Sequence, residues 1–189
     1  MSKRRETIRD FSKEKINLED IIYVLNVARE APFGANKQPW RFLIVIDEDI
    51  KKEIRRYCES VERKFHENAP DWFKKWLAER GISWRKPFLE EAPVLLLVFA
   101  DIRAPYAIQS TWLAVGYMLL AIEEKGLATV TYTPSRIKWF NEFFNLPDHY
   151  KLQTILPIGK PADTKYQKQP RKSLEELIIN KEILEKIRL

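Results

Sequence analysis

Cysteine, histidine and glycine are scarce in this chain of 189 residues, which has one Cys, two His and five Gly. A single cysteine excludes an intramolecular disulfide and fits a reducing cytoplasm. So few Cys and His also argue against a soft-metal site. No apolar run approaches the roughly 18 residues of a membrane span, and no apolar segment follows the basic residues 1–5 as in a secretory signal. We therefore predict a cytoplasmic protein without a membrane segment.

The sequence also lacks the familiar motifs of nucleotide binding and of nucleophilic catalysis. It contains no phosphate loop, no Gly-x-Gly-x-x-Gly and no Gly-x-Ser-x-Gly. His66 and His149 have no recognisable triad setting, and Cys58 lies at helical spacing from Ile54 and Val61, which is typical of a core residue. If the protein is an enzyme, we expect a cofactor to carry the difficult chemistry.

What the chain does contain indicates one globular domain over residues 1–189. Apolar residues make up 45% and charged residues 32%, which excludes a disordered chain. The net charge of +6 would suit nucleic acid or an anionic small ligand. Because charges of both signs are interspersed, we predict a solvated surface and no nucleic-acid partner. Abundant mixed charge with little Cys and Met is compatible with a thermophilic source.

Hydrophobic periodicity predicts alternating helices and strands. The helix over 106–125 is apolar almost all round, so it belongs either in the core or at a dimer interface. Asp49 and Ser135 are predicted to cap helices, and residues 3–11 could form a basic first helix. The predicted helices cover 18–30, 50–65, 106–125 and 135–144, and the strands 42–46, 94–100, 128–134 and 154–159.

Three segments stand out for their composition. Residues 31–40 form a connector stiffened by two prolines between a helix and an apolar strand, a usual place for binding groups, although a plain tight turn is an equal alternative. Residues 67–88 are aromatic and basic, which favours a lid, a subunit contact or a small satellite core. The tail from residue 173 becomes apolar again and needs a surface to cover it.

Five segments follow one another along the chain, at residues 5–11, 31–40, 126–131, 156–161 and 170–177. Together and in this order they resemble the nitroreductase family of homodimeric flavoproteins, which hold FMN at the subunit interface. The resemblance implies an α+β fold, a mixed β-sheet flanked by helices, in an intertwined homodimer. Within the family, residues 84–93 are most similar to the end of the active-site lid in the iodotyrosine deiodinase branch. We place a lid-like insertion at about 62–90 and a tail at about 172–189 on the partner subunit.

The resemblance implies a phosphate clamp for FMN. Arg5, Arg9 and Arg171 would grip the phosphate with charge-assisted hydrogen bonds. Glu6 lies in the same cofactor-binding segment where relatives often have Arg, and as an anion it should point away. Thr7 would donate near the ribityl chain or the phosphate.

The connector at 31–40 is implied to reach the flavin from the other subunit. Pro32, Phe33 and Gly34 would lie against the isoalloxazine, with Phe33 replacing by stacking a hydrogen bond made by Ser in many relatives. Asn36 would bond the pyrimidine end or the ribityl chain. Ala35 is expected to touch the substrate.

The remaining implied roles concern the reacting end of the site. Thr131 and Thr133 lie on the strand expected to pass the flavin, with Thr131 bonding N5 as in the deiodinase branch, although ordinary β-propensity also explains both. Lys86 would grip the carboxylate of a zwitterionic amino acid. The branch also has a lid glutamate and a lid tyrosine, but no Tyr lies between Tyr57 and Tyr106. The possible lid carboxylates are Glu59, Glu62 and Glu67.

The leading prediction is an FMN-dependent oxidoreductase that passes electrons from NAD(P)H to a small aromatic acceptor such as a nitro or quinone compound. The alternative is reductive dehalogenation of a halotyrosine or halophenol, for which the threonine at N5 keeps one-electron chemistry open. A flavin-binding protein without turnover is a third possibility, from a different functional class.

Overall fold

A computed structural model describes residues 1–162, 170–180, 182 and 183. Seven α-helices, a one-turn 3-10 helix (Gly34–Asn36) and four strands are found among these residues. None of these helices is both long and apolar enough to span a membrane. The helices are α1 (Leu18–Arg29), α2 (Glu48–Asn68), α3 (Asp71–Glu79), α4 (Phe88–Glu91), α5 (Ala107–Glu124), α6 (Lys138–Phe143) and α7 (Leu174–Leu177), and the strands are β1 (Trp40–Val45), β2 (Val94–Asp101), β3 (Ala128–Thr129) and β4 (Tyr150–Gly159).

The four strands form one sheet in the order β1-β2-β4-β3, and every neighbouring pair is antiparallel. The only described parallel pairing is a single bridge between Thr7 and Thr129. The predicted α+β architecture is confirmed, and the parallel component of the mixed sheet is confined to that bridge.

Two hydrophobic cores lie on opposite faces of the sheet, and β2 serves both. Its eight residues are all buried, as expected for a continuous apolar run in a central strand. Alternate side chains enter opposite cores because the side-chain period of a strand is two. Val94, Leu96 and Val98 pack with α1 and α5, whereas Leu95 and Leu97 pack with α2, α4 and α6.

The N-terminal segment is extended, so the predicted first helix over 3–11 is wrong. The amide of Ile8 donates to the carbonyl of Thr129 at 3.1 Å, and Phe11 bridges Pro161. The exposed edge near β3 offers backbone partners, which satisfy the segment's polar groups better than an isolated short helix would.

Several predicted element ends are shifted. Helix α2 begins at Glu48 because the Asp47 carboxylate, and not Asp49, caps it, accepting from the amides of Asp49 and Ile50 at 3.0 and 2.9 Å. Helix α6 begins at Lys138 without a side-chain cap, so the prediction for Ser135 is wrong.

The ends of α1 and α5 agree with the sequence. Asn17 caps α1 by accepting from the amide of Glu19. Gly126 follows α5 with φ of 66°, a left-handed conformation that glycine adopts without strain and that commonly ends helices.

The strand expected over 128–134 is regular only in β3, after which Tyr132 makes an isolated bridge with Ile155. Thr131 and Thr133 are exposed, and Tyr132 between them is buried. The side chains therefore alternate between solvent and core as in a strand, although the regular strand is short.

Residues 62–90 contain the end of α2, all of α3, an irregular stretch and the start of α4. Their action as a lid stays a prediction. In the tail, a capping box at Ser173 starts α7, whose Leu174 and Leu177 are exposed. Packing of residues 172–189 on a partner also stays a prediction, and residues 181 and 184–189 lie outside the described part of the chain.

A buried carboxylate, Asp101, fixes the end of β2 next to the 31–40 connector. It accepts from the Arg103 side chain at 2.9 and 2.6 Å, and its own amide donates to the carbonyl of Pro39 at 2.8 Å. Its hydrogen bonds with Arg103 lower the pKa of Asp101 to about 2. Because this pKa is lower in the folded than in the unfolded chain, the contribution is present above about pH 4 and is lost as the pH falls towards 2.

We expect Asp101→Asn to lower the free energy of unfolding by about 1 kcal/mol at pH 7, because the amide forfeits the charge-assisted bonds to Arg103. The deficit should shrink as the pH falls from about 4 to about 2. Urea denaturation at three pH values measures it, with Asp71→Asn on the exposed face of α3 as the control. A deficit that does not vary with pH would contradict this account.

Candidate functional site

A cavity of about 1030 Å³ opens beside the strand segment that follows β3. The N-terminal segment, α2, the stretch between α3 and α4, and residues 130–133 form its walls. Lining cations outnumber lining carboxylates by one, so the cavity suits an anionic or zwitterionic ligand. Its polar lining includes Arg9, Glu62, Lys86, Thr131, Tyr132 and Thr133.

Four of the predicted site residues are brought together in this cavity. Arg9 comes from the N-terminal segment, Lys86 from the stretch before α4, and Thr131 and Thr133 from the strand segment. The hydroxyl of Thr133 donates to the carbonyl of Gln153 at 2.8 Å, which fixes its orientation. The cavity is large enough for a cofactor with a substrate beside it. The guanidinium of Arg9 and the hydroxyl of the exposed Thr131 are donors suited to a phosphorylated flavin, whereas the hydroxyl hydrogen of Thr133 is already donated to Gln153.

Lys86 is unusual because its side chain is 9% exposed although it carries an ammonium group. The ammonium donates to the carbonyl of Ser83 and lies 3.9 Å from the Glu62 carboxylate. The backbone amide of Lys86 donates to Glu59 at 2.8 Å. Burial lowers the pKa of Lys86, Glu62 opposes that shift, and nearby Arg9 adds to it. The ammonium is thus held in place and partly desolvated, which suits it to bind the anionic group of a ligand in the cavity.

The structure separates the three candidate lid carboxylates. Glu59 accepts from Arg55 at 2.8 Å as well as from the Lys86 backbone, so its carboxylate holds the stretch before α4 against α2. Glu67 forms an exposed pair with Arg63. Only Glu62 of the three lines the cavity. Sequence spacing did not distinguish them because all three lie on α2.

Sequence reasoning missed Tyr132 as a site residue. Its hydroxyl donates to Glu62 at 3.3 Å, and the Lys86 ammonium lies 5.9 Å from the centre of its ring. Burial, with smaller effects of the neighbouring Cys58 and Glu62, raises the pKa of Tyr132, so the phenol stays protonated. The alternation with Thr131 and Thr133 was the available signal, since it predicts an inward-facing Tyr132.

The 31–40 connector lies outside this cavity. The amide of Gly34 donates to the Ser110 hydroxyl at 3.3 Å, and the Phe33 ring meets Trp40 edge-on at 5.3 Å. Pro32 and Ala35 are exposed. A role for these residues and for Asn36 at a partner's flavin stays a prediction.

The connector is nevertheless strained. Ala35, Asn36 and Gln38 have φ values of 51°, 52° and 45°, in the left-handed region that non-glycine residues rarely adopt. A Cβ on Gly34 would lie 3.0 Å from the Tyr106 ring, so glycine permits that close approach. Such strain persists where surrounding structure enforces it and is concentrated at functional sites.

The other residues predicted to hold the FMN phosphate are not among the residues that line this cavity. Arg5 and Glu6 line a separate cleft of about 220 Å³ between the N-terminal segment and α5. Arg5 donates to the carbonyl of Glu6 at 3.1 Å, and Thr7 pairs with Thr129. Arg171 is exposed in the tail. A shared phosphate clamp of Arg5, Arg9 and Arg171 stays a prediction.

Neither Cys58 nor His66 is among the residues that line the cavity. Cys58 is fully buried, and burial raises its pKa to about 12, so it remains a thiol in the core, as predicted. His66 is half-buried in the last turn of α2, and burial lowers its pKa. The cavity can therefore bind and orient, but it offers no evident nucleophile.

Comparisons with known proteins agree with the fold. A family model described as "Nitroreductase family" matches residues 2–160. An iodotyrosine deiodinase of Thermotoga neapolitana is 55% identical over 171 residues, which is 90% of this chain and 91% of that protein. One of Haliscomenobacter hydrossis is 36% identical over 171 residues, covering 84% and 77% of the two chains.

Solved structures of flavoproteins have the same fold as this chain. Oxidized iodotyrosine deiodinase bound to FMN and 3-iodo-L-tyrosine aligns with a TM-score of 0.87 at 55% identity, over 91% of this chain and 93% of that one. A nitroreductase with bound FMN from Bacteroides fragilis aligns with a TM-score of 0.72 at 20% identity, over 94% and 95%, and shows the fold alone. The predicted nitroreductase-like fold is confirmed.

We expect Cys58 in the native protein to react with a thiol reagent at pH 8 at least about 100-fold more slowly than in the unfolded chain. Burial removes access, and the raised pKa removes the reactive thiolate. The chain has one cysteine, so the absorbance of the released chromophore reports this site alone. The same protein in guanidinium is the control, and equal rates in both states would contradict the core assignment.

Proposed function

The chain belongs to the nitroreductase family, in its iodotyrosine deiodinase-like branch, and on that premise we propose that it is an FMN-dependent reductive dehalogenase of halogenated tyrosines. The observation that supports this most directly is the pairing of the Lys86 ammonium with the Glu62 carboxylate, 3.9 Å apart, in the cavity that Thr131 also lines. Two opposite charges fixed side by side match the carboxylate and ammonium of an amino acid.

The residues at the cavity fit FMN. Arg9 would contribute positive charge to the phosphate, and the exposed hydroxyl residues Thr131 and Thr133 would face the flavin. The remaining contacts would come from Arg5, Arg171 and the partner's 31–40 connector. When bound, FMN supplies the electron-transfer chemistry that the side chains of the cavity lack.

Substrate recognition follows from the electrostatics of the pair. Lys86 would bind the substrate carboxylate, and Glu62 would bind the substrate ammonium. The ion pair between Lys86 and Glu62 would thereby be replaced by two ion pairs with the substrate. Because Lys86 is largely shielded from water, each bond counts for more than it would on an exposed surface. A nitro or quinone acceptor has no zwitterion and gains nothing from this arrangement, which favours the dehalogenase over the NAD(P)H nitroreductase expected first.

The proposed net reaction replaces an aryl carbon–halogen bond by a carbon–hydrogen bond. The aryl halide takes up two electrons and a proton, equivalent to the hydride of NAD(P)H, and releases halide. The donor is thereby oxidised to NAD(P)⁺. No side chain is required as a nucleophile, so the protein's part is to bind the ring, exclude water and hold the zwitterion.

We also propose that the active form is a homodimer. Helix α5 buries one face but leaves an apolar opposite face exposed, including Trp112, Leu113 and Tyr117 at 40–48%. Monomeric proteins rarely expose so continuous an apolar stripe. The stripe begins near the N-terminus of α5, where the strained connector also lies, so pairing there would place the connector at the subunit interface.

The decisive measurement is iodide release from 3-iodo-L-tyrosine by FMN-loaded protein supplied with dithionite or NAD(P)H. Lys86→Gln should raise KM by at least about tenfold, since a charge-assisted bond to the substrate carboxylate is lost. Lys52→Gln on the exposed side of α2 is the control. Nitroaromatic reduction without iodide release would favour the nitroreductase, and bound FMN with no turnover of either substrate would favour a flavin-binding protein.

Trp112→Glu should convert the dimer to a monomer in sedimentation and lower its FMN content, because a charge replaces an interface aromatic. Trp72→Glu is the matched control, since Trp72 is also exposed but lies on α3. A Trp112→Glu protein that keeps both its sedimentation coefficient and its flavin would overturn the proposed interface.

A further inference from the structure

Tyr132 is anchored more firmly than the charged residues that it contacts. Its amide donates to the carbonyl of Ile155 at 3.0 Å, and its carbonyl accepts from the amide of Ile155 at 2.7 Å. Its ring is 8% exposed and packs edge-on against Phe88. The hydroxyl therefore has a position fixed by β4 and the core below the cavity.

That hydroxyl acts on one charged group of the cavity. It donates to Oε1 of Glu62, while Oε2 of the same carboxylate faces the Lys86 ammonium. A glutamate has three rotatable bonds, so an unsupported carboxylate on α2 would sample several rotamers. The ring face also lies toward the Lys86 ammonium, at 5.9 Å. One residue thus touches both members of the pair.

Resting on the proposed function, we propose that Tyr132 is a positioning residue that gives the site its preference for a zwitterionic amino acid over a simple phenol. By holding Glu62 beside Lys86, it keeps both charges set for the substrate ammonium and carboxylate. No tyrosine lies between Tyr57 and Tyr106 in this chain, and Tyr132 supplies a phenol beside Glu62. Its place is on the sheet side of the cavity.

The test compares Tyr132→Phe with wild type in the FMN-loaded protein. The substitution removes only the hydroxyl and keeps the ring in the core and under the ammonium. We expect KM for 3-iodo-L-tyrosine to rise about tenfold with kcat within about twofold, and KM for 2-iodophenol, which lacks the zwitterion, to stay unchanged. Dissociation constants from flavin fluorescence should show the same split.

Glu62→Gln should show the same split, and adding Tyr132→Phe to Glu62→Gln should cause no further loss, because both act through one contact. Tyr57→Phe is the matched control, since its hydroxyl bonds the carbonyl of Arg136 outside the cavity.

The outcomes separate the two proposals. Equal increases for both substrates, or additive losses in the double variant, would overturn the role of Tyr132 alone. A wild-type protein that binds 3-iodo-L-tyrosine no better than 2-iodophenol, or releases no iodide from either, would overturn the proposed function and this inference with it.

Discussion

Burial of β2 on both faces is the constraint on which the rest of this structure depends. An eight-residue strand without an exposed side chain requires a helical layer on each side, which α1 and α5 provide on one face and α2, α4 and α6 on the other. The interior is therefore filled, and a ligand can enter only at the margin of the sheet. The cavity lies at such a margin, where the chain beyond β3 pairs with β4 only through Tyr132.

The second organising feature is the buried ammonium of Lys86. Removing such a charge from water is costly unless polar partners surround it. Its backbone is tied to Glu59, which Arg55 holds, and Arg55 also bonds Glu90 of α4 at 3.0 Å. This chain of ion pairs links α2 to α4 and fixes the stretch that carries Lys86. Recognition thus rests on supporting contacts as much as on the charges that face the cavity.

The sequence predicted what depends on local pattern. The strand over 94–100 and the helix over 106–125 could both be predicted from neighbouring residues, and the structure has them as β2 and α5. The Asp47 cap was missed because Asp47 and Asp49 are chemically equivalent in sequence. The hydrogen bond from Tyr132 to Glu62 joins residues 70 apart, and no local period predicts such a contact. The prediction of a helix over residues 3–11 was wrong for the same reason, because the backbone partners of this segment lie near β3, far away in sequence.

The strained connector and the apolar stripe on α5 have a common explanation in the proposed dimer. Three left-handed non-glycine residues cost of order 1–3 kcal/mol each, and a plain turn between α1 and β1 would not need them. Gly34 bonds Ser110 near the start of α5, so the connector is fixed to the helix that carries the stripe. A partner docked on α5 would cover the stripe and receive the connector together. The left-handed backbone of the connector, which the fold of a single chain does not require, would then be explained by its contacts with the partner subunit.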